Sequence, residues 1–82
     1  MRYSVLFLAR ALEFLESLDK PIRLQIYRKL GKLEENAKLG ELLSNELKGC
    51  WRIHIGKYRV IYIVEGDDII VTKIGHRKDV YI

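Results

Sequence analysis

The amino-acid sequence predicts an α+β domain: an antiparallel β-sheet with two N-terminal helices packed on one face. Three observations predict this class. An alternating apolar segment opens the chain, two stretches with helical apolar spacing follow it, and three β-branched and aromatic runs occupy the part after residue 50. No repeat or linker interrupts the sequence, so residues 1–82 are expected to form a single domain with one modest core.

The elements of the first half follow from changes in the apolar period. Apolar residues alternate with others over about residues 3–7, which predicts a strand, and recur at helical spacing over residues 8–18 and 22–33, which predicts two helices. In the Asp-Lys-Pro segment 19–21, the aspartate can cap the second helix and the proline is tolerated in its first turn. Residues 36–49 are predicted to form a loop with at most one helical turn.

The second half is predicted to be a three-stranded meander. Strands are expected at residues 51–55, 58–64 and 69–74, and they are separated by plausible hairpin turns at 56–57 and 65–68. Two helices can cover only one face of such a sheet. The opposite face, which we call the open face, is left to solvent and is the natural place for a site.

A two-residue turn at 56–57 determines which side chains share each face, because directly opposed residues of a hairpin lie on the same side. The face under the helices should then collect Trp51, Ile53, Ile55, Tyr58, Val60, Tyr62 and Val64. The open face should collect Arg52, His54, Arg59, Ile61 and Ile63, with Ile70, Thr72 and Ile74 from the last strand. Two arginines and a histidine are thereby predicted to converge beside a partly apolar floor.

The charge of the chain is concentrated around this hairpin. The net charge is +4; residues 1–47 carry eight bases and seven acids, whereas residues 48–82 carry seven and four. Residues 48–64 contain four bases and no acid. A merely solvated strand face would show the same alternation, but solubilising faces normally mix signs. The pattern favours an anionic partner: RNA, DNA or an acidic protein.

Other classes of protein are disfavoured by composition. No apolar run approaches the roughly 18–20 residues of a membrane span, and no signal-peptide pattern opens the chain, so we expect a cytoplasmic protein without a membrane partner. The single cysteine, Cys50, cannot form an internal disulfide or a cysteine-rich metal site. The two histidines are far apart in sequence, so neither a metal nor a cofactor is expected.

Two motifs carry a family resemblance over essentially the whole chain. The segments "ELKGCWRIHIGKYRVIYIV" and "VTKIGHRKDVY", in this order after one strand and two helices, resemble the RelE/ParE superfamily of toxin–antitoxin toxins. RelE-type members are ribosome-dependent mRNA endonucleases inhibited by a cognate antitoxin that wraps around them. The resemblance therefore implies three partners: an antitoxin, the ribosome and mRNA. An amphipathic helix or an added strand would be the expected mode of antitoxin binding.

The resemblance also implies site residues by motif position. The catalytic set would be Arg52, His54, Arg59, Arg77 and Tyr81. The basic pair on the first hairpin strand is often lysine in relatives, so this chain differs there in residue type but not in place. Neighbouring groups expected to bind RNA are Lys48, Lys57, Lys73, His76 and Lys78. On unbroken alternation His76 faces the same side as Arg59, whereas a bulge at Gly75 would turn Arg77 to that side, as the family pattern favours.

The chemistry of RNA cleavage by its own 2′-hydroxyl suits these residue types and needs no metal. Arginines can stabilise charge on the phosphorane as fixed forks, but their high pKa makes them poor proton donors or acceptors. His54 is then the best acid–base group, and Tyr81 could stack on a base or orient the nucleophile. Two alternatives remain: a ParE-type gyrase inhibitor, whose members usually lack this basic set, and a degenerate toxin that only binds its antitoxin or RNA.

Overall fold

The computed structural model describes residues 2–44 and 49–78, which form a five-stranded sheet with two helices. The elements are β1 Ser4–Phe7, α1 Ala9–Glu16, α2 Lys20–Leu33, β2 Glu41–Leu42, β3 Trp51–Ile55, β4 Tyr58–Glu65 and β5 Asp68–His76. The strand order across the sheet is β1-β5-β4-β3-β2. The predicted α+β class, with both helices before the meander, is confirmed.

Both helices pack their apolar stripes on the same sheet face. Leu15 of α1 and Ile26, Leu30 and Leu33 of α2 are almost fully buried, and each such side chain contributes about 1.5–3 kcal/mol on burial. Asp19 occupies the N-cap position of α2, as predicted, but its side chain makes no capping hydrogen bond in the described structure. The packed stripe, rather than the cap, therefore supports α2.

The sheet is mixed rather than wholly antiparallel. β2, β3, β4 and β5 pair antiparallel in sequence, whereas β1 pairs parallel with β5, from Ser4 opposite Asp68 to Phe7 opposite Val71. Parallel neighbours need a crossover connection. Here the segment from β1 through both helices and the other strands supplies that connection. The N-terminal strand β1 therefore forms one edge of the sheet, beside the C-terminal strand β5.

The predicted β3–β4 register is confirmed, and it buries the expected face. Ile55 lies opposite Tyr58 and His54 opposite Arg59, and pairing continues to Trp51 opposite Tyr62. The buried core under the helices, or the shell packed against it, includes every side chain predicted for that face. A shift of one residue would have buried the cations, which explains why the hydrophobic pattern specifies this register so strongly.

A β-bulge at Thr72 corrects the predicted register of β5. Ile61 lies opposite Lys73, but the next residue, Tyr62, lies opposite Val71, which leaves Thr72 as an extra residue. The bulge reverses the alternation beyond this point. Ile74 is therefore buried in the core under the helices, and the prediction that it lies on the open face is wrong. Lys73 takes its place there.

The open face is partly covered beside the hairpin. Residues 36–49 were predicted as a loop, and they contain the short strand β2 at the edge of β3. Leu43 then folds over the sheet and forms a small cluster with Ile61, against which Cys50 packs. The backbone N–H of Leu43 donates a hydrogen bond to the carbonyl of Cys50 over 2.8 Å. Leu43 thus covers Ile61, which was predicted to form part of an exposed apolar floor. The charged groups of the open face remain accessible.

Candidate functional site

Three predicted site residues lie together on the open face. His54 of β3 is directly opposite Arg59 of β4, and Arg52 lies two residues further along β3. Opposed residues of an antiparallel pair have Cβ atoms about 4.5–5.5 Å apart, and diagonal neighbours about 7–8 Å. The hairpin therefore holds two guanidinium groups within reach of one imidazole, as its alternation predicted.

The backbone orients Arg59. Its side chain is half-buried, and Nη1 donates a hydrogen bond to the carbonyl oxygen of Tyr58 over 3.1 Å. One side of the guanidinium is thereby tied to the strand. The remaining N–H groups of the fork are left for an acceptor such as a phosphate oxygen.

Arg52 is paired with an acid that the sequence did not reveal as part of the site. Its Nη2 atom forms an ion pair with Oε1 of Glu41, which lies directly opposite Arg52 in β2. The side chain of Arg52 is 22% exposed, and its Nε atom is buried without a hydrogen-bond partner in residues 2–44 and 49–78. The Nη2 atom of Arg52 is therefore already paired with a carboxylate, whereas its Nε–H group makes no hydrogen bond within the described residues.

The loop that carries Glu41 is attached to the centre of the sheet by Tyr62. The Tyr62 hydroxyl donates to the carbonyl of Ala37 over 2.8 Å and accepts from the N–H of Gly40 over 3.1 Å. A Cβ on Gly40 would lie 2.7 Å from the carbonyl oxygen of Arg52, so only glycine permits this approach. These contacts bring Glu41 to Arg52. Sequence reasoning missed them because a two-residue strand leaves no periodic signal.

The environment of His54 favours the neutral imidazole. Partial desolvation, followed by the positive charges of Arg59 and Arg52, lowers the pKa of His54 below its usual value of 6.5, and the carboxylate of Glu41 opposes the shift. At neutral pH His54 is consequently a proton acceptor rather than a donor. Its side chain is exposed, so a substrate can reach it.

The remaining cations of the predicted set are divided between the open face and the hairpin tip. Lys73 is exposed on the open face opposite Ile61. Lys57 and Arg77 are exposed and meet at the tip, where the N–H of Arg77 donates to the carbonyl of Lys57 over 2.8 Å. Lys78 is exposed in the same turn. Lys48 and Tyr81, the latter a predicted catalytic residue, lie outside the described residues.

His76 is not on the open face. It lies opposite Tyr58, and the two rings meet edge to face with centroids 5.6 Å apart. Its Nδ1 atom accepts a hydrogen bond from the N–H of Lys78 over 3.2 Å. A break in alternation does separate His76 from Arg59, but it occurs at Thr72 rather than at Gly75. The structure therefore places His76 beside Lys57 and Lys78 at the hairpin tip, on the opposite face of the sheet from Arg59 and Lys73.

The described residues form neither a metal-binding cluster nor a membrane-spanning helix. No three His, Cys, Asp or Glu side chains in residues 2–44 and 49–78 lie close enough to hold a metal ion. In the same part of the chain, neither helix is long and apolar enough to cross a membrane. What this open face offers a ligand is positive charge and one imidazole.

The sequence matches a known family and one curated relative. Residues 5–81 match the family described as ParE toxin of type II toxin–antitoxin system, parDE. A curated Escherichia coli protein described as a RelE-like toxin is 31% identical over 87 residues, which cover 99% of this chain and 92% of the relative. Both matches span the helices and the complete hairpin site.

Solved structures share the fold. The RelBE2 toxin–antitoxin complex of Mycobacterium tuberculosis contains a chain with 25% identity and a TM-score of 0.85, and the match covers 94% of this chain and 100% of that one. The archaeal RelE–RelB complex of Pyrococcus horikoshii contains another with 25% identity and a TM-score of 0.78, covering 98% and 100%. The first of these structures is a toxin–antitoxin complex, and the second is a complex of RelE with RelB.

Fold and sequence together define this chain as the toxin component of a type II toxin–antitoxin system. It belongs to the ParE toxin family, within the RelE/ParE superfamily. The resemblance seen in the two sequence motifs is thus confirmed.

Proposed function

We propose that this toxin is a ribosome-dependent, metal-independent mRNA endonuclease that inhibits translation in the cytoplasm. The observation that carries the proposal is the position of His54 directly opposite Arg59, with Arg52 on the same face. This arrangement combines a proton acceptor with two groups that bind phosphate. Its mRNA substrate would be presented by the ribosome, and a cognate antitoxin would inhibit it.

The reaction follows from the properties of these groups. Neutral His54 takes the proton of the RNA 2′-hydroxyl, and the resulting oxyanion attacks the adjacent phosphorus. The bond from phosphorus to the 5′-oxygen breaks, and that oxygen takes a proton from water. The protonated His54 gives its proton to the resulting hydroxide, and the products carry a 2′,3′-cyclic phosphate and a 5′-hydroxyl. Arg59 and Arg52 stabilise the additional negative charge that develops on the phosphorane oxygens. Arg77 would add charge from the hairpin tip, and Tyr81 would stack on a base or orient the nucleophile.

A second candidate function is inhibition of DNA gyrase without RNA cleavage. The family description over residues 5–81 is that of a ParE toxin, which favours this alternative. Against it stands the basic set on the open face, which ParE-type members usually lack. A third possibility is a toxin that has lost catalysis: it would bind its antitoxin or RNA, but it would neither cleave RNA nor inhibit gyrase.

Inducible expression with primer extension on a translated message distinguishes these functions. The endonuclease should produce new 5′ ends within codons, and His54→Ala and Arg59→Ala should each reduce cleavage by about 10²-fold or more. Lys38→Ala, which removes an exposed cation from the loop before β2, serves as the control and should cleave normally. Growth arrest with intact mRNA would overturn the nuclease proposal and favour gyrase or another target.

A further inference from the structure

A second positively charged feature adjoins the open face, and its cations have no role in the mechanism above. It is a groove of about 290 Å³ between α2 and the outer edge of β3. We call it the α2 groove. Its lining residues are Gln25, Arg28, Lys29, Lys32, His54, Ile55 and Gly56.

The charge of the α2 groove is of one sign. Arg28, Lys29 and Lys32 line it, and none of its lining residues within 2–44 and 49–78 is acidic. The three cations follow one another at intervals that place them on one flank of the helix, where like charges repel. The ion pairs found in the described structure, Arg2–Glu34 and Arg52–Glu41, include none of these three side chains.

In the part of the chain that the structure describes, no element covers the sheet edge at the α2 groove. β2 pairs with Trp51 and Arg52 alone, so the rest of β3 forms the outer edge beside α2. At the end of β3 the turn approaches the helix closely: a Cβ on Gly56 would lie 3.6 Å from Nε2 of Gln25. The turn therefore closes one end of the groove, and its side remains open to solvent.

His54 connects the α2 groove with the open face. It lines the groove, and it is also the residue directly opposite Arg59 in the hairpin. An extended ligand that contacts Arg59 and passes over His54 would reach the cations of α2 without leaving positively charged surface. Continuity of this kind suits a polyanionic strand better than an isolated anion.

We propose that the α2 groove binds the phosphodiester backbone of single-stranded RNA, on one side of the nucleotide that lies at His54. The choice of RNA as the polyanion rests on the proposed function. The inference that the groove binds a polyanion rests on the charge and shape of the groove alone. An acidic protein segment is the competing occupant, because it would satisfy the same cations. The described part of the groove has no acid to pair with the amino groups of a protein ligand, which matches a phosphate backbone more closely.

The test compares two triple variants with the same change in net charge. Arg28→Gln, Lys29→Gln and Lys32→Gln remove the groove cations. The control replaces Arg2, Lys20 and Lys38 by glutamine, and these three side chains are exposed away from the groove. Binding to a fluorescent 2′-O-methyl RNA oligonucleotide is measured by anisotropy at several salt concentrations. This oligonucleotide cannot be cleaved through its 2′-oxygen.

The groove variant should bind at least 10-fold more weakly at low salt, and the slope of log K against log salt should fall by about 2, since each phosphate contact on a single strand contributes about 0.7. In the control variant, the same slope should decrease by less than half as much. Equal losses in both variants would overturn the proposal, because they would reflect net charge alone. Circular dichroism and thermal unfolding establish that both variants fold, and the single change Lys32→Gln with rescue by Lys32→Arg provides a milder pair.

The binding assay is independent of catalysis. If wild-type protein binds the oligonucleotide through the groove but cuts no mRNA in cells, the endonuclease proposal fails and the groove proposal stands. If the groove variant binds RNA as tightly as wild type but loses affinity for a fluorescent polyglutamate peptide, the occupant is an acidic protein segment and the groove proposal fails.

Discussion

The Tyr62 hydroxyl donates a hydrogen bond to the carbonyl oxygen of Ala37, 2.8 Å away, and accepts one from the N–H of Gly40. This contact joins the centre of the sheet to the loop after α2. It also determines where Glu41 lies, and through Glu41 it affects the charge at Arg52. A fully buried aromatic residue of the core thereby influences the open face.

Tyr62→Phe should lower the free energy of unfolding by about 1–3 kcal/mol, because the buried carbonyl of Ala37 loses its partner while the ring is kept. Urea unfolding would show this as a lower midpoint with an unchanged m-value. The control is Tyr27→Phe, which changes a tyrosine that is 43% exposed and should alter stability by less than about 0.5 kcal/mol. Equal midpoints for the two variants would contradict the role of the Tyr62 hydroxyl.

Substitution by alanine should destabilise the fold at Gly40 and stabilise it at Gly31. A Cβ at Gly40 would lie 2.7 Å from both the carbonyl oxygen of Arg52 and the Tyr62 hydroxyl oxygen, so Gly40→Ala must displace the loop and should destabilise the fold by about 1–3 kcal/mol. Gly31 lies within α2 with its nearest neighbour 3.9 Å from the Cβ position, so Gly31→Ala should stabilise by about 0.5–1 kcal/mol. Thermal unfolding of the two variants measures both signs, and destabilisation by Gly31→Ala would contradict the open space at that position.

The positive charges beside His54 should be visible in its titration. NMR of the imidazole is expected to give a pKa below 6.5, since burial, Arg59 and Arg52 all disfavour the charged form. Arg59→Gln should raise this pKa, whereas Glu41→Gln should lower it further, because the Glu41 carboxylate favours protonation. A shift in the same direction in both variants would contradict the arrangement.

The same shift has a consequence for stability. The unfolded chain takes up the His54 proton near pH 6.5, and the folded protein takes it up only at lower pH. Within that interval the unfolded state binds more protons, so this contribution to stability decreases as the pH falls through it. The decrease should be absent in His54→Gln, which does not titrate. An unchanged pH dependence of the unfolding midpoint in that variant would contradict the linkage.

The accuracy with which the sequence predicted strand pairing differs between the strands. The alternation of β3 and β4 around Gly56 predicted the pairs from Arg52 opposite Ile61 to Ile55 opposite Tyr58, because burial of one face penalises any other register. In β5 the same reasoning failed at Thr72. A signal was available there: strict alternation from Ile69 and Val71 would have placed Lys73 under the helices, and a charge at that position argues for a bulge.

Other features had no comparable signal. Glu41 reaches Arg52 through tertiary contacts between a loop and a core tyrosine, and two residues of strand carry no detectable period. The cations of the α2 groove were visible as a charged flank of a helix, but helix periodicity does not say which flank meets the edge of β3. That depends on the strand order, which a single sequence constrains only through connection rules.

Glu41 should act as an internal competitor of RNA at Arg52. Its side chain is 63% exposed, and its carboxylate pairs with one nitrogen of the Arg52 guanidinium, so an RNA phosphate must displace the carboxylate or share the guanidinium with it. Exposed ion pairs are worth up to about 1 kcal/mol, and removing this one in Glu41→Gln should therefore tighten binding of non-cleavable RNA by up to about fivefold. Glu34→Gln removes the same charge from the other ion pair found in the described residues and serves as the matched control. Anisotropy titrations at fixed salt compare the two variants, and an equal gain in both would show that net charge, rather than release of Arg52, governs the affinity.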